Sequence, residues 1–186
     1  MNEQMFLSGQ FLLAMPGIGD PRFEQSVIAI CAHDAAGAFG LCLHRAADVL
    51  TVPELMRQME IDPGATPERP VLLGGPVEPE RGFVLHSTDW SGQDTRHTAN
   101  RWAVTGTADV LRAIAEGRGP RRWVAALGYA GWGAGQLEVE LQHHGWFPAM
   151  GDEALIFATE AAKRWARAFA LQGIDSSMLA AGPGHA

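Results

Sequence analysis

Lysine is nearly absent from this sequence: Lys163 stands alone, and the rest of the 14 basic residues are arginines, set against 21 acidic residues. The formal net charge is −7. Binding nucleic acid without regard to sequence needs a basic surface that displaces counterions from phosphates, so this balance argues against such a role. Two short basic groups exist, Arg118 with Arg121 and Arg122, and Lys163 with Arg164 and Arg167. Both are interleaved with acidic or apolar residues, as on the solvated faces of a turn and a helix. Cysteine is scarce as well. Cys31 and Cys42 cannot supply a disulfide framework. No run of about 18 apolar residues is present, so no membrane-spanning helix is expected. The opening MNEQMFLSGQFLLAM lacks a basic n-region, and Ser8, Gly9 and Gln10 interrupt its apolar run, so no secretory signal is expected either. The expected location is the cytoplasm. Without repeats, low-complexity segments or linkers, residues 1–186 are expected to form a single domain, with 174–186 as a C-terminal tail.

What is present is globular: 47% hydrophobic and 19% charged residues. QFLLAM ends at Pro16 and reads as a strand. SVIAICAH, residues 26–33, and AFGLCLH, residues 38–44, read as a hairpin. Thr51 with Glu54 forms a capping box for a helix that stops before Asp62-Pro63. VLLGG and GFVLH, residues 82–86, read as strands joined by a turn at Gly74, Gly75 and Pro76. Residues 87–100 are polar and aperiodic, as in a long mobile loop. RWAVTG reads as a strand, Thr107 caps a short helix, and residues 122–130 form the next strand. GQLEVELQHHGW favours a helix opened by Gly135. ALIFA, residues 154–158, reads as a strand, and Thr159 caps a last helix with Ala162, Trp165, Ala166 and Phe169 inward. Strands interspersed with helices, without strict βαβ alternation, indicate α+β with a mixed sheet.

Several chemistries can be weighed on these elements. A dinucleotide or phosphate loop needs strand, glycine turn and then helix. Gly17 with Gly19, and Gly74 with Gly75, lead into strands instead. Gly131 to Gly135 opens a helix and has the best anion-site geometry, but it lacks the full spacing and a P-loop lysine. Cys31-x-His33 and Cys42-x-His44 lie on neighbouring strands. Residues two apart share a strand face, so the four could converge on zinc. Both cysteines, however, sit inside apolar runs, where a thiol behaves as a small buried hydrophobe. The expectation is therefore no metal and no cofactor. No G-x-S-x-G elbow is present. His86 with Arg81 could serve as acid–base and anion clamp. The competing reading pairs Arg81 with Glu78 or Glu80 and lets His86 simply close a strand.

FLLAMPGIGDPRFEQSVIAICAHDAAGAFGLCLH, VLLGGPVEPERGFVLH and VAALGYAGWGAGQLEVEL, with the terminal GPGHA, together resemble the YqgE/AlgH family over nearly the whole chain. Pro16, Asp20, Phe23, Cys31, His33, Gly37 and Gly40 match its first motif. Gly74, Gly75, Pro76, Arg81, Gly82 and His86 match the second. Gly128, Tyr129, Trp132, Gln136, Leu137 and Glu138 match the third. The chain departs from the family pattern at Cys42, His44, Arg45, Ala46 and His144, which leaves half of the zinc set peculiar to this sequence. The resemblance implies an α+β fold with a strongly curved mixed β-sheet approaching a barrel, flanked by helices. It also implies a widespread bacterial family without a settled activity, some of whose members carry a transcriptional-regulator label. No helix-turn-helix signature supports that label here.

The expected function is a non-enzymatic binding or regulatory module with a protein or small-molecule partner. Its candidate surface comprises Arg81, His86, Tyr129, Trp132, Gln136 and Glu138. Gly74, Gly75, Pro76, Gly128 and Gly131 are expected to be structural. Two alternatives are a small hydrolase or transferase for an anionic substrate, using His86 and Arg81 in one pocket, and a direct transcriptional regulator.

Overall fold

A computed structural model of the chain describes residues 6–99 and 101–179. The strands among them are β1 Gln10–Ala14, β2 Val27–Asp34, β3 Gly37–Cys42, β4 Ala46–Thr51, β5 Pro70–Leu73, β6 Val77–His86, β7 Arg96–Thr98, β8 Trp102–Thr105, β9 Trp123–Gly133 and β10 Trp146–Met150. The helices are α1 Val52–Gln58, α2 Asp109–Ala115, α3 Gln136–Gln142, α4 Glu153–Phe157, α5 Arg164–Leu171 and α6 Ser176–Leu179. Along the sheet the order is β10-β1-β2-β3-β9-β6-β8-β7, with β5 joining β9 and β4 joining β5. The β5–β9 pair is parallel and the others are antiparallel, so the sheet is mixed.

The spine is β9. Its first half pairs with β6 and β5, and its last residues pair with β3. It bends at Gly128, whose φ is +76°. There the Gly74-Gly75 segment crosses it. A Cβ on Gly75 would stand 2.1 Å from the Tyr129 carbonyl carbon, and one on Gly128 would stand 2.3 Å from the Gly75 oxygen. Only glycine permits this approach of two backbones. A Cβ on Gly74 would likewise stand 2.3 Å from the Gly128 oxygen.

The bend curls the sheet into a half-barrel whose far edges meet. Thr98 Oγ1 donates to the Cys31 carbonyl (3.0 Å), Arg101 to the Gly151 carbonyl (3.0 Å), and Phe11 stacks on Trp102 at 5.5 Å. The concave core holds Phe11, Leu13, Leu41, Leu85 and Trp102, and α4 and α5 close one end with Leu155, Ile156, Trp165 and Phe169. A second core packs α3 on the outer face near β1 and β2, and a third packs α1 and α2 against β6 and β9.

Several expectations change. ALIFA is α4, not a strand, because the Asp152 carboxylate accepts the Leu155 N–H at 3.1 Å and caps a helical turn. Neither β4 nor β10 was foreseen. Val77–Glu80, which lies ahead of the expected strand GFVLH, is the start of β6. Thr51, Thr107 and Thr159 make no side-chain cap. Glu54 pairs with Arg57, the Thr107 hydroxyl bonds Asp94 and Asp109, and that of Thr159 bonds the Ala154 carbonyl. Ala162 and Ala166 are exposed, and Ala168 takes their inward place.

Arg164 is the largest correction. It is buried rather than solvated, and its guanidinium donates to the carbonyls of Leu43, Leu155 and Ile156 at 2.6–3.0 Å. Burial pushes its pKa down to about 10, still charged at neutral pH. A rigid fork of five donors can satisfy carbonyls at irregular strand and helix ends that water cannot reach.

Candidate functional site

The four residues of the zinc set do not converge. The β2–β3 register shifts between Ile30 and Ala32, leaving Cys31 as an extra residue. A bulge reverses the alternation of side chains beyond it. Cys31 therefore faces the concave core, whereas His33 reaches α3 on the other side and Cys42 lies in the outer core. Burial pushes both thiols up to about 12, far from the thiolate that metal binding or nucleophilic attack requires. Burial also lowers the His44 pKa to about 4, keeping that ring neutral, and both its nitrogens lack a partner among the described residues. No group of three or more His, Cys, Asp or Glu side chains among the described residues could hold a metal.

Arg81 and His86 also part company. They lie five residues apart on β6, and alternation sends them to opposite faces. Arg81 lies over the ring of Phe83 (5.3 Å), on the concave side. His86 is fully buried on the other side, edge-on to Trp90 at 5.6 Å. Its pKa is lowered by burial, and it sits in a directional chain. Gly92 N–H donates to Thr95 Oγ1, Thr95 to Thr105 Oγ1, and Thr105 to His86 Nε2, each at 2.7–2.8 Å, while Nδ1–H donates to the Ser87 carbonyl at 2.8 Å. His86 thus anchors the segment expected to be a mobile loop. The hydrolase reading required these two side chains in one pocket, and they do not share one.

Glu138 belongs to a further place. His33 Nδ1 accepts the Leu7 N–H at 3.0 Å, so Nε2 carries the proton shared with Glu138 at 3.0 Å. This pair ties the segment before β1 to α3.

Trp132 and Gln136 do meet, around a residue the sequence reading passed over. Glu140 lies one helical turn beyond Gln136. Its Oε2 accepts the indole N–H of both Trp132 and Trp146 at 2.9 Å, and its Oε1 accepts the Gln136 amide at 3.1 Å. Gln136 Oε1 in turn accepts the Gly133 N–H at 3.0 Å. The Gly131–Gly135 run is therefore no anion cradle. The strand continues to Gly133, and α3 spans only seven residues. The spacing of Gln136 and Glu140, four apart on a helix after a tryptophan, was the available signal.

These side chains form one wall of an open cleft of about 530 Å³. The β1–β2 turn supplies Pro16, Asp20, Arg22 and Phe23, and Pro76 and Val77 complete it. Arg22 clamps Asp20 through its guanidinium (2.7 Å), which lowers the Asp20 pKa. Six residues of the three sequence motifs, Pro16, Asp20, Phe23, Pro76, Trp132 and Gln136, thus line one cleft. Gly131 lines it too.

Arg81 and Tyr129 lie instead at the open mouth of the half-barrel. Phe39, Phe83 and Tyr129 touch one another at 5.1–5.8 Å. The neighbouring Glu78, hydrogen-bonded to the Tyr129 hydroxyl, raises its pKa and pairs with Arg81 at 3.4 Å.

The fold defines an α+β protein built on a curled, mixed half-barrel sheet, and its surface includes a polar outer cleft and an aromatic mouth. The chain belongs to the AlgH-like family (DUF179), whose model matches residues 11–177. It is 54% identical over 186 residues to a UPF0301 protein of Rhizorhabdus wittichii, spanning all of both chains. It is 52% identical to one of Sphingopyxis alaskensis, over 97% of each. The solution structure of AlgH from Pseudomonas aeruginosa is similar at 38% identity with a TM-score of 0.81, covering 100% of this chain and 99% of that one. A crystal structure from Corynebacterium diphtheriae, at 23% identity and a TM-score of 0.76 over 98% and 95% of the two chains, shares the fold. No helix among the described residues is long and apolar enough to cross a membrane.

Proposed function

We propose that this protein is a non-enzymatic binding module, regulatory in role, that recognises its partner through the cleft bounded by the β1–β2 turn and the Trp132–Trp146 wall. One observation carries this reading. Residues from three stretches far apart in sequence, which together mark the family, line the same cleft. Its wall is fixed by a carboxylate that accepts three N–H donors, a preorganised arrangement suited to recognition. The nucleophile and base candidates elsewhere in the chain support binding rather than turnover, because both thiols are held protonated by burial and His86 is enclosed in a structural chain.

Rim substitutions test it. Arg22→Glu with Val77→Lys changes two exposed side chains of the cleft while leaving Gln136, Glu140 and the buried indoles in place. Partners captured from native lysate by the wild-type chain should be lost by this variant, at an unchanged unfolding temperature. An Arg57→Glu control on α1 should keep them. Equal capture by all three proteins overturns the proposal.

A further inference from the structure

The mouth of the half-barrel shares no residue with the Trp132 cleft, and it has its own chemistry. Small ligands favour the mouths of curled sheets, where apolar walls meet a few convergent polar groups. The mouth here is about 250 Å³, room for a single ring. Its floor is the triad Phe39, Phe83 and Tyr129, of which Phe39 and Tyr129 are half-exposed.

Two guanidinium groups flank that floor. Arg96 on β7 has the same parity as Thr98, whose side chain points inward to Cys31, so Arg96 faces the mouth. Among the described residues the Arg96 guanidinium has no hydrogen-bond or ion-pair partner. Arg81 lies against Phe83 and is held only by an exposed contact with Glu78 at 3.4 Å, which a competing anion can displace.

Charge then narrows the ligand class. Two carboxylates stand at the rim. Asp94 is engaged by the Gly106 N–H (3.2 Å) and the Thr107 hydroxyl (2.8 Å), and Glu78 by Tyr129 and Arg81. Two positive and two negative groups leave the rim near neutrality, which suits a monoanion better than a polyphosphate. Guanidinium forks match the planar carboxylate, and flat rings stack on aromatic faces. We propose that the mouth is a binding site for a small aromatic carboxylate, its ring against Phe39 and Tyr129 and its carboxylate between Arg81 and Arg96.

Benzoate is the probe, followed by NMR titration of the full chain. Cyclohexanecarboxylate, acetate and benzyl alcohol serve as matched controls lacking planarity, the ring or the charge. Saturable shifts at Phe39, Tyr129 and Arg96 are expected with benzoate, and each control should bind about tenfold more weakly or worse. Arg81→Gln and Arg96→Gln should each lower benzoate affinity by about tenfold. Arg96→Lys, which keeps the charge and loses the fork, should fall between them and the wild type. The exposed positions of both arginines predict unchanged unfolding temperatures. Acetate binding as tightly as benzoate overturns the proposal. So do unaltered affinities in the Gln variants, shifts confined to other surfaces, or no saturable shift at all.

Discussion

The two ends of the half-barrel use the same residue type in opposite ways. At the closed end Arg164 is 4% exposed, and its guanidinium is consumed by three backbone carbonyls. At the open end Arg81 is 55% exposed in its side chain, and the Arg96 guanidinium has no hydrogen-bond or ion-pair partner among the described residues. One arginine is a bolt; of the other two, Arg81 keeps an exposed contact with Glu78 that a ligand can replace. Nothing in the local sequence separates them. Arg164 sits in a basic triplet of positions that reads as a solvated helix face, while Arg81 sits in a motif that reads as functional.

Substitution of Arg164 should give the largest effect. Arg164→Ala strands three buried carbonyls and should cost about 3 kcal/mol or more in urea unfolding. A loss under about 1 kcal/mol would mean that water reaches those carbonyls, and the contrast between the ends would collapse. Thr105→Val comes next. It removes the donor to His86 Nε2 in the middle of the hydrogen-bonded chain and should cost about 2 kcal/mol. Amide exchange should accelerate within residues 87–99 and leave α4 and α5 protected, which would localise the effect to the mouth side.

A third effect is titratable. Burial holds His44 neutral down to about pH 4 and lowers the pKa of His86, whereas the unfolded chain protonates both near the ordinary 6.5. The unfolded state then binds more protons between those values, so stability falls as pH drops from 6.5 towards 4. For His44, which is only partly shielded, the loss should be about 1–2 kcal/mol after allowing for solvent screening. His44→Asn should flatten that part of the curve. Asp89 and Asp109, whose pKa values are lowered, act in a separate window below about pH 4. The smallest effect belongs to Arg81→Gln, which should change stability by no more than about 0.5 kcal/mol.

The sequence showed much of the sheet because apolar runs such as SVIAICAH and GFVLH end at glycines, prolines or polar residues. It also marked Gly74, Gly75 and Gly128 as expected structural positions. Three things escaped it. Side-chain parity past Cys31 depends on a bulge that no spacing rule reveals, and with it went the zinc set. ALIFA has the composition of a strand, and only the Asp152 cap makes it a helix. Glu140 looked like one more acid on a polar helix, because its role comes from two indoles, one on β9 and one on β10, that the fold brings to it. Five of the six tryptophans, Trp102, Trp123, Trp132, Trp146 and Trp165, are buried, which composition could not decide. The candidate residues named from the sequence divide among four places, the mouth, the outer cleft, the His86 chain and the His33–Glu138 pair. Linear proximity says little about which side of a curled sheet a residue meets.

The bent spine strand also bears on the order in which the chain can assemble. During synthesis the hairpin of β2 and β3 and the β6–β8 pair emerge before β9, the strand that pairs with both β3 and β6 and so joins their ladders. The last strand, β10, must then travel back to pair with β1, as Gln10 faces Met150 across the sheet. Long-range closures of this kind are slow, and they leave strand edges open in the meantime. A ribosome pausing before residue 133 would hold two unfinished sheets rather than one unfinished domain.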